Sequence, residues 1–296
     1  MFRCVALVSG FGWHVEDLQR AAGRLGIGLH AVPFPNLTGH LGDGPGRVEA
    51  GGIDLAGVDG VLVRMMPPGG LERVVFRMDA LQRVEAMGVP VLNPARAIEA
   101  SVDKYLSLAR LDAGGIPVPL TWAGESARDA QAAFERLGGD VAIKPLFGSE
   151  GRGLVRASEP ELARRAFQTL ERLGAVLYVQ KIVRHPGHDV RMFVLGGRVV
   201  GAIRRFATPG EWRTNVAVGG RAEPCVLEPE FEQLAIRSAR AVGAGMAGVD
   251  LAMDLDRGGP VVFEVNAVPG WRALAGATGV DVAAAILEHL RGEARR

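Results

Sequence analysis

Short apolar runs alternate with helix-spaced apolar positions through the first 95 residues. The runs "CVALVSG", "GLHAVPF", "GVLVRM" and "VPVLN" have the length and branched side chains of buried strands. "HVEDLQRAAGRLG" and "LERVVFRMDALQRVEAMG" instead repeat apolar residues three and four apart, as amphipathic helices do. This rhythm predicts an open, mostly parallel sheet. The glycine-rich stretch 39–52 breaks both periods and reads as a surface loop. The first turn, "SGFGWH", lacks G-x-G-x-x-G, so a dinucleotide fingerprint is not supported.

Asn93-Pro94 ends this unit. Ser101 reads as the cap of a helix through "VDKYLSLARLDAGG", with Asp103 in its first turn and Gly114-Gly115 at its end. A strand near 119–123, a helix over 127–138 and the strand "DVAIKPL" follow. Next come a strand near 153–157, a helix over 159–173 and the strand "AVLYVQKI". Residues 189–206 read as a hairpin turning at Gly196-Gly197. Helix 229–242, the strands "AGVDLAMDL" and "PVVFEVNA", and helix 280–291 complete an α/β (α+β) chain. No internal repeat or low-complexity linker interrupts it.

The stretch "VVFEVNAVPGW" sets the chemical question. Strand residues two apart share a face, so Glu264 and Asn266 stand side by side. A carboxylate there needs a cation or a donor. Two neighbouring oxygens suit a hard divalent ion such as Mg²⁺, although a solvated strand end before the Pro269-Gly270 turn is the plain alternative. Asp250 ends the strand in "AGVDLAM" and would add a third oxygen if the two strands pair.

Three further stretches point towards a nucleotide. In "AIKPLFGSEGRGLV" a strand delivers Lys144, and Gly148, Gly151 and Gly153 open a loop in which Ser149 adds a hydroxyl. Such a loop lets backbone N–H groups approach phosphate, yet it has no Walker ending and equally fits a flexible hairpin. "YVQKIVRHPGHD" offers backbone edges beside Val179 and Ile182, with Asp189 as a ribose acceptor; a His185/His188 metal pair is the less economical reading. "RRFATPGEWRTNVAVGG" brings Arg204, Arg205, Arg213 and Asn215 together, as a phosphoryl-binding cluster or a solvated basic edge.

Composition narrows the classes. A formal charge of +1 over 296 residues opposes a broad nucleic-acid footprint. Of 34 basic residues only Lys104, Lys144 and Lys181 are lysines, which marks them as positions wanting a compact ammonium. Cys4 and Cys225 lack metal or disulfide spacing and read as buried small hydrophobes of a reducing compartment. The N-terminal apolar run is too short for a signal peptide, and no run of about 18 apolar residues appears. A cytoplasmic protein without membrane contact is the expectation.

Taken in order, "VDKYLSLARLDAGGIPVP", "AIKPLFGSEGRG", "GHDVRMFVLGGRVVGAIRR", "EWRTNVAVGG", "AGVDLAM" and "FEVNAVPGW" resemble the RimK-type ATP-grasp ligases, from about Asn93 to the C-terminus. The resemblance implies an ATP-grasp fold. Its units would be an N-terminal βαβ pre-ATP-grasp domain (1–95), a central subdomain with a glycine-rich lid (96–182) and a C-terminal subdomain with the Mg²⁺ site (183–296). It places Lys104, Lys144 and the loop Gly148, Ser149, Gly151 and Gly153 on ATP phosphates. Gln180, Lys181 and Ile182 fall at adenine and Asp189 at ribose. Arg213, Thr214 and Asn215 fall on nucleotide phosphate and metal-side groups, with Arg205 near the reacting acyl phosphate. Arg205, Arg213 and Asn215 are thus the implied catalytic set, and Asp250, Glu264 and Asn266 would hold two Mg²⁺ ions, with Mn²⁺ as a substitute.

Two departures stand out. Lys181 replaces a glutamate usual in the family, which removes an acceptor for the adenine amino group. Phe206 stands where a second arginine is common.

The reaction implied is ADP-forming carboxylate–amine ligation through an acyl phosphate, adding an amino acid such as L-glutamate to an acceptor. The stretches "VRMMPPGGLERVVFRMDALQRVEAMGVPVLNPARAIEASVDKYLSLARL" and "NAVPGWRAL" are similar to a branch linked to tetrahydromethanopterin. A protein C-terminus or an amino-acid carrier protein is the alternative acceptor, and a homo-oligomer (dimer or tetramer) the expected assembly. The rival from another class is a non-catalytic nucleotide-binding regulator, which predicts a damaged metal face. A nicotinamide oxidoreductase would rest on the N-terminal βαβ rhythm alone.

Overall fold

The computed structural model describes residues 1–42, 46–148, 153–208 and 220–295. The chain opens with β1 (Arg3–Val8), α1 (Trp13–Leu25) and β2 (Gly28–Pro33). Apolar positions three and four apart put Val15, Leu18, Ala21 and Ala22 of α1 on the buried side, and Gly26 closes the helix at φ 63°. Next come β3 (Leu37–His40), β4 (Arg47–Ala50) and β5 (Ile53–Asp54), which pair antiparallel in that order. The expected loop over 39–52 is therefore largely a small sheet. Val48 and Ala50 alternate into the core, a repeat too short to be seen among glycines.

β6 (Gly60–Val63), α2 (Leu71–Ala86) and β7 (Val91–Leu92) complete a parallel sheet ordered β2-β1-β6-β7. The single helix expected after Ser101 is two, α3 (Ala95–Val102) and α4 (Lys104–Ala113). Asp103 breaks them with an extended backbone, and its carboxylate accepts from Leu106 N at 3.0 Å. Asp103, not Ser101, is thus the cap; the Ser101 hydroxyl donates back to the Ala97 carbonyl inside α3.

β8 (Thr121–Gly124), α5 (Ala127–Arg136), β9 (Val141–Lys144), β10 (Val155–Ala157), α6 (Pro160–Arg172) and β11 (Leu177–Lys181) form a second unit. Its antiparallel sheet runs β10-β9-β11-β8. Phe134, Ile143, Phe167 and Val179 fill a core drawn from this unit's own residues.

The third sheet, β14-β13-β12-β15-β16, uses β12 (His188–Leu195), β13 (Arg198–Phe206), β14 (Arg221–Pro224), β15 (Met246–Asp254) and β16 (Gly259–Asn266). All its pairs are antiparallel. Both Gly196 (φ 57°) and Gly197 (φ 77°) are left-handed at the β12–β13 turn, as a two-residue hairpin requires. One face packs Met192, Val194, Val249 and Val262 against α7 (Pro229–Val242). The other face changes character along its length. Phe193, Leu195, Ile203 and Met246 join a core with Trp271 and Leu274 of the region around α8 (Arg272–Thr278). Asp189, Arg191, Arg205 and Asp250 continue the same face as charge.

The C-terminal helix α9 (Val282–Glu293) returns to the first sheet, where Ile286, Leu287 and Leu290 share a core with Cys4, Leu18 and Leu62. Asn93, fully buried, adds a polar tie between sheets. Its amide nitrogen donates to the carbonyls of Met246 (2.6 Å) and Ala267 (2.5 Å), and its oxygen accepts from Met246 N (2.8 Å). Cys4 is buried as expected; Cys225 is only partly so, and both are free thiols. No single helix among the described residues is long and apolar enough to cross a membrane.

Candidate active site

Register assembles the charged face. Asp250 of β15 lies opposite Glu264 of β16, and Gly248 opposite Asn266. Asp250 also faces Arg191 of β12, and Asp189 faces Arg205 of β13. Side chains directly opposite one another in an antiparallel pair project to the same side, so the three expected oxygen ligands do share one face. Gly248 is required there: a Cβ would come within 2.9 Å of the Pro269 side chain, closing the turn that follows β16.

The structure corrects the expected roles of three of these residues. Asp250 is not an open ligand, because Arg191 forks it with two 2.6 Å hydrogen bonds and Arg205 Nη2 lies 2.9 Å away. Burial alone would raise its carboxyl, but the two guanidinium groups outweigh burial and hold it at about 2. Asp189 is buried and forked by Arg205, rather than presented to a ribose. Arg205, 3% exposed, is consumed in bridging Asp189 and Asp250, so it supports the face from below instead of meeting an acyl phosphate. Buried carboxylates demand such partners, and only strand register reveals which arginines supply them. Arg191 was missed on sequence, although its spacing of two from Asp189 places both on one face.

Glu264 differs. Among the described residues its carboxylate makes no hydrogen bond or ion pair, and it is close enough to Lys104 and Lys144 to favour their charged forms. Lys104, the first residue of α4, donates to the Gly148 carbonyl at 2.8 Å. Lys144, half-buried at the end of β9, donates to Gln180 Oε1 at 2.6 Å; Gln180 Nε2 in turn donates to the Thr121 hydroxyl at 3.0 Å. Burial lowers the Lys144 ammonium to about 8, Lys104 adds to the lowering, and Glu264 and Asp250 oppose it. Lys104 is lowered chiefly by burial too. Asn266 Oδ1 accepts from Val268 N at 2.8 Å, which shapes the turn and still leaves the oxygen a lone pair.

The adenine edge also needs correcting. The backbone N–H groups of Lys181 and Ile182 are already donated to the Leu120 (2.8 Å) and Asp140 (3.1 Å) carbonyls. His188 packs on the Phe206 ring, whose centroid lies 5.3 Å away, and the described residues contain no cluster of three His, Cys, Asp or Glu suited to a metal. Gly148 and Gly153 have positive φ on either side of the glycine-rich loop. Ser149, Gly151, Arg213, Thr214 and Asn215 lie outside the described residues.

Two buried-edge ammonium groups facing an unpaired carboxylate suit a polyanion that arrives with its own divalent cation. The oxygens of Glu264 and Asn266 fit Mg²⁺ as they stand. Asp250 fits only where the Arg191 fork yields.

Comparison with known proteins gives this arrangement its context. A RimK-like ATP-grasp domain model matches residues 101–290. The chain is 36% identical over 269 residues to the tetrahydromethanopterin:alpha-L-glutamate ligase of Methanosarcina acetivorans, covering 82% of this chain and 83% of that protein. It is 38% identical over 241 residues to a "Probable alpha-L-glutamate ligase" of Trichodesmium erythraeum, covering 81% and 79%. The ATP-grasp ligase PsnB, solved with a minimal precursor, Mg and ADP, superposes with a TM-score of 0.77 over 99% of this chain and 98% of that chain, at 22% identity. By this family match and these relatives, the chain belongs to the RimK-like ATP-grasp family.

Proposed function

We propose that this protein is an ATP-dependent, ADP-forming ligase that adds L-glutamate to an acceptor carrying a carboxylate, with the tail of a pterin cofactor as the favoured acceptor. The observation that carries the reading is Glu264 on β16, which pairs with none of the described residues and favours the charged forms of Lys104 and Lys144. The named activity of the Methanosarcina relative supports the choice of glutamate and of the pterin.

The chain's own groups do the following in this reading. Lys144 and Lys104 bind the nucleotide phosphates, and their charge opposes the negative charge that builds as the γ-phosphoryl group passes to the acid. Glu264 and Asn266 would hold Mg²⁺, and Asp250 would complete a set for two ions if released from Arg191. Magnesium, when bound, neutralises the phosphate oxygens. The amine then attacks the acyl phosphate, an amide bond forms, and phosphate leaves. No side-chain nucleophile is required, and positioning with exclusion of water is the work left to the protein.

The test is ADP release with candidate acids and amines, followed by the mass of the product. A ligase releases stoichiometric ADP only when acid and amine are both present, whereas release with neither opposes the reading. Glu264→Ala is expected to abolish turnover while the protein stays folded; unchanged turnover in that variant removes Glu264 from the machinery.

A further inference from the structure

In the order β2-β1-β6-β7 the chain leaves β1 towards β2 and later adds β6 on its other side. A parallel sheet built this way opens a crevice beyond the carboxyl ends of β1 and β6, the place where such sheets take their ligands. Nothing in the proposed nucleotide site uses it. The loop after β1, residues 9–12, is exposed and runs into the 13-residue helix α1, whose first N–H groups have no side-chain cap. A Cβ at Gly10 or Gly12 would meet nothing within 4 Å, so the space above the helix end is open.

The residue that follows β6 is Arg64. It is 3% exposed, its guanidinium lies over the Trp271 ring (4.9 Å to the centroid), and its Nη1 donates to the Val268 carbonyl at 3.2 Å. Its Nε is buried without a partner, and no carboxylate among the described residues pairs with it. An arginine stays charged even where burial lowers its pKa to about 10. A buried cation lacking a counter-ion is costly, which points to an anion supplied from outside the chain.

The surroundings agree. His14, in the first turn of α1, accepts from Trp271 N through Nε2 at 3.2 Å and is held neutral, at about 4, by burial and by the charges of Arg64 and Arg272. Arg272 stands over the Trp13 ring at 5.7 Å. Of the two acids in the first turns of α1, Glu16 is exposed, and Asp17 is taken by Trp271 Nε1 (2.8 Å) and Arg20 (2.8 Å). Neither Arg64 nor Arg272 is paired with these acids among the described residues. The crevice adjoins the proposed cation face through one short turn: Asn266 Oδ1 holds Val268 N, and the Val268 carbonyl holds Arg64.

We propose that this crevice, formed by Arg64, Arg272 and the amino end of α1, is a carboxylate subsite for one of the two co-substrates. Resting on the ligase reading above, it anchors a free carboxylate while the reacting group lies towards the end of β16. The amino acid and the acceptor both offer that chemistry, and the experiment separates them.

The test uses the full chain with Arg64→Met, which removes the charge and keeps the stem, and Arg272→Glu at the exposed mouth. Steady-state ADP release is measured with L-glutamate and acceptor varied in turn. In both variants KM for one co-substrate is expected to rise at least tenfold while KM for ATP stays within twofold, and Arg64→Lys to recover part of the loss. A rise for glutamate assigns the subsite to the amino acid, and a rise for the acceptor assigns it to the acceptor. Unchanged co-substrate KM values in either soluble variant overturn the proposal, as does a fall in kcat alone with the melting temperature lowered, which marks Arg64 as a prop for the 266–268 turn. Thermal shift with L-glutamate and γ-glutamylglutamate as probes gives a readout independent of turnover. A stabilisation of the parent that Arg64→Met loses supports the subsite even where no acid–amine pair releases ADP and the ligase reading fails; no stabilisation of the parent by either probe sinks the subsite and leaves the ligase reading standing.

Discussion

Arg191 and Asp250 face each other across the β12–β15 pair, and both nitrogen–oxygen contacts of their fork measure 2.6 Å. A carboxylate assigned to magnesium by its position is thereby held by a neighbouring strand. Removing the carboxylate leaves Arg191 without its counter-ion, while Arg205 keeps only Asp189. Asp250→Ala is expected to destabilise the fold by about 3–5 kcal/mol and to abolish turnover, with urea unfolding and ADP release as the measurements.

The same pair gives an acid signature. The Asp250 carboxyl sits at about 2 in the folded chain against an ordinary 3.8, so its contribution to stability is complete above pH 4. It fades as pH falls from 4 towards 2, because the unfolded chain then binds the proton first. Urea midpoints measured across that window should fall more steeply for the parent than for Asp250→Asn.

Lys144 predicts a proton taken up with the nucleotide. Its ammonium, lowered to about 8 by burial and by Lys104, is favoured again beside phosphates. Between pH 8 and 9 ATP binding should therefore consume protons and weaken as pH rises. Calorimetry in buffers of different ionisation enthalpy reads the uptake directly, and Lys144→Met should abolish it.

Asn93 joins Met246 and Ala267 through three buried hydrogen bonds. Asn93→Ala strands an N–H and two carbonyls, so a loss of about 2–4 kcal/mol is expected by urea unfolding. Asn93→Asp should do no better, because a carboxylate cannot donate to the two carbonyls.

Lys181 stands where the family resemblance calls for an acceptor. Lys181→Glu is expected to improve discrimination of ATP over GTP by about tenfold, the effect of one added hydrogen bond to the adenine amino group. Competition binding of the two nucleotides measures it.

How legible was this site in the sequence? Strands β9, β11, β15 and β16 announce themselves as apolar runs. Lys144 and Asn266 end β9 and β16 and Glu264 lies two residues before Asn266, whereas Asp250 is mid-strand because β15 continues to Asp254; alternation alone fixes their faces. What alternation cannot supply is which strands are neighbours. The forks of Arg191 and Arg205 on Asp250 and Asp189 depend on the register of β12 with β13 and β15, so carboxylates that look free in the sequence are paired in the fold. The break at Asp103 was hidden because apolar spacing continues across it from α3 into α4. Arg64 left one faint signal, a charge ending the apolar run "GVLV", and its burial depends on Trp271 arriving from two hundred residues later.

The path of α9 has a mechanical consequence. Because the leucines of that helix pack in one core with Cys4 and Leu62 of the first sheet and Phe193 and Met246 of the third, the first and third units are laced together, whereas the apolar interior of the β8–β11 unit is its own. Severing the chain near residue 95 would therefore strip the interior of both pieces instead of yielding two modules.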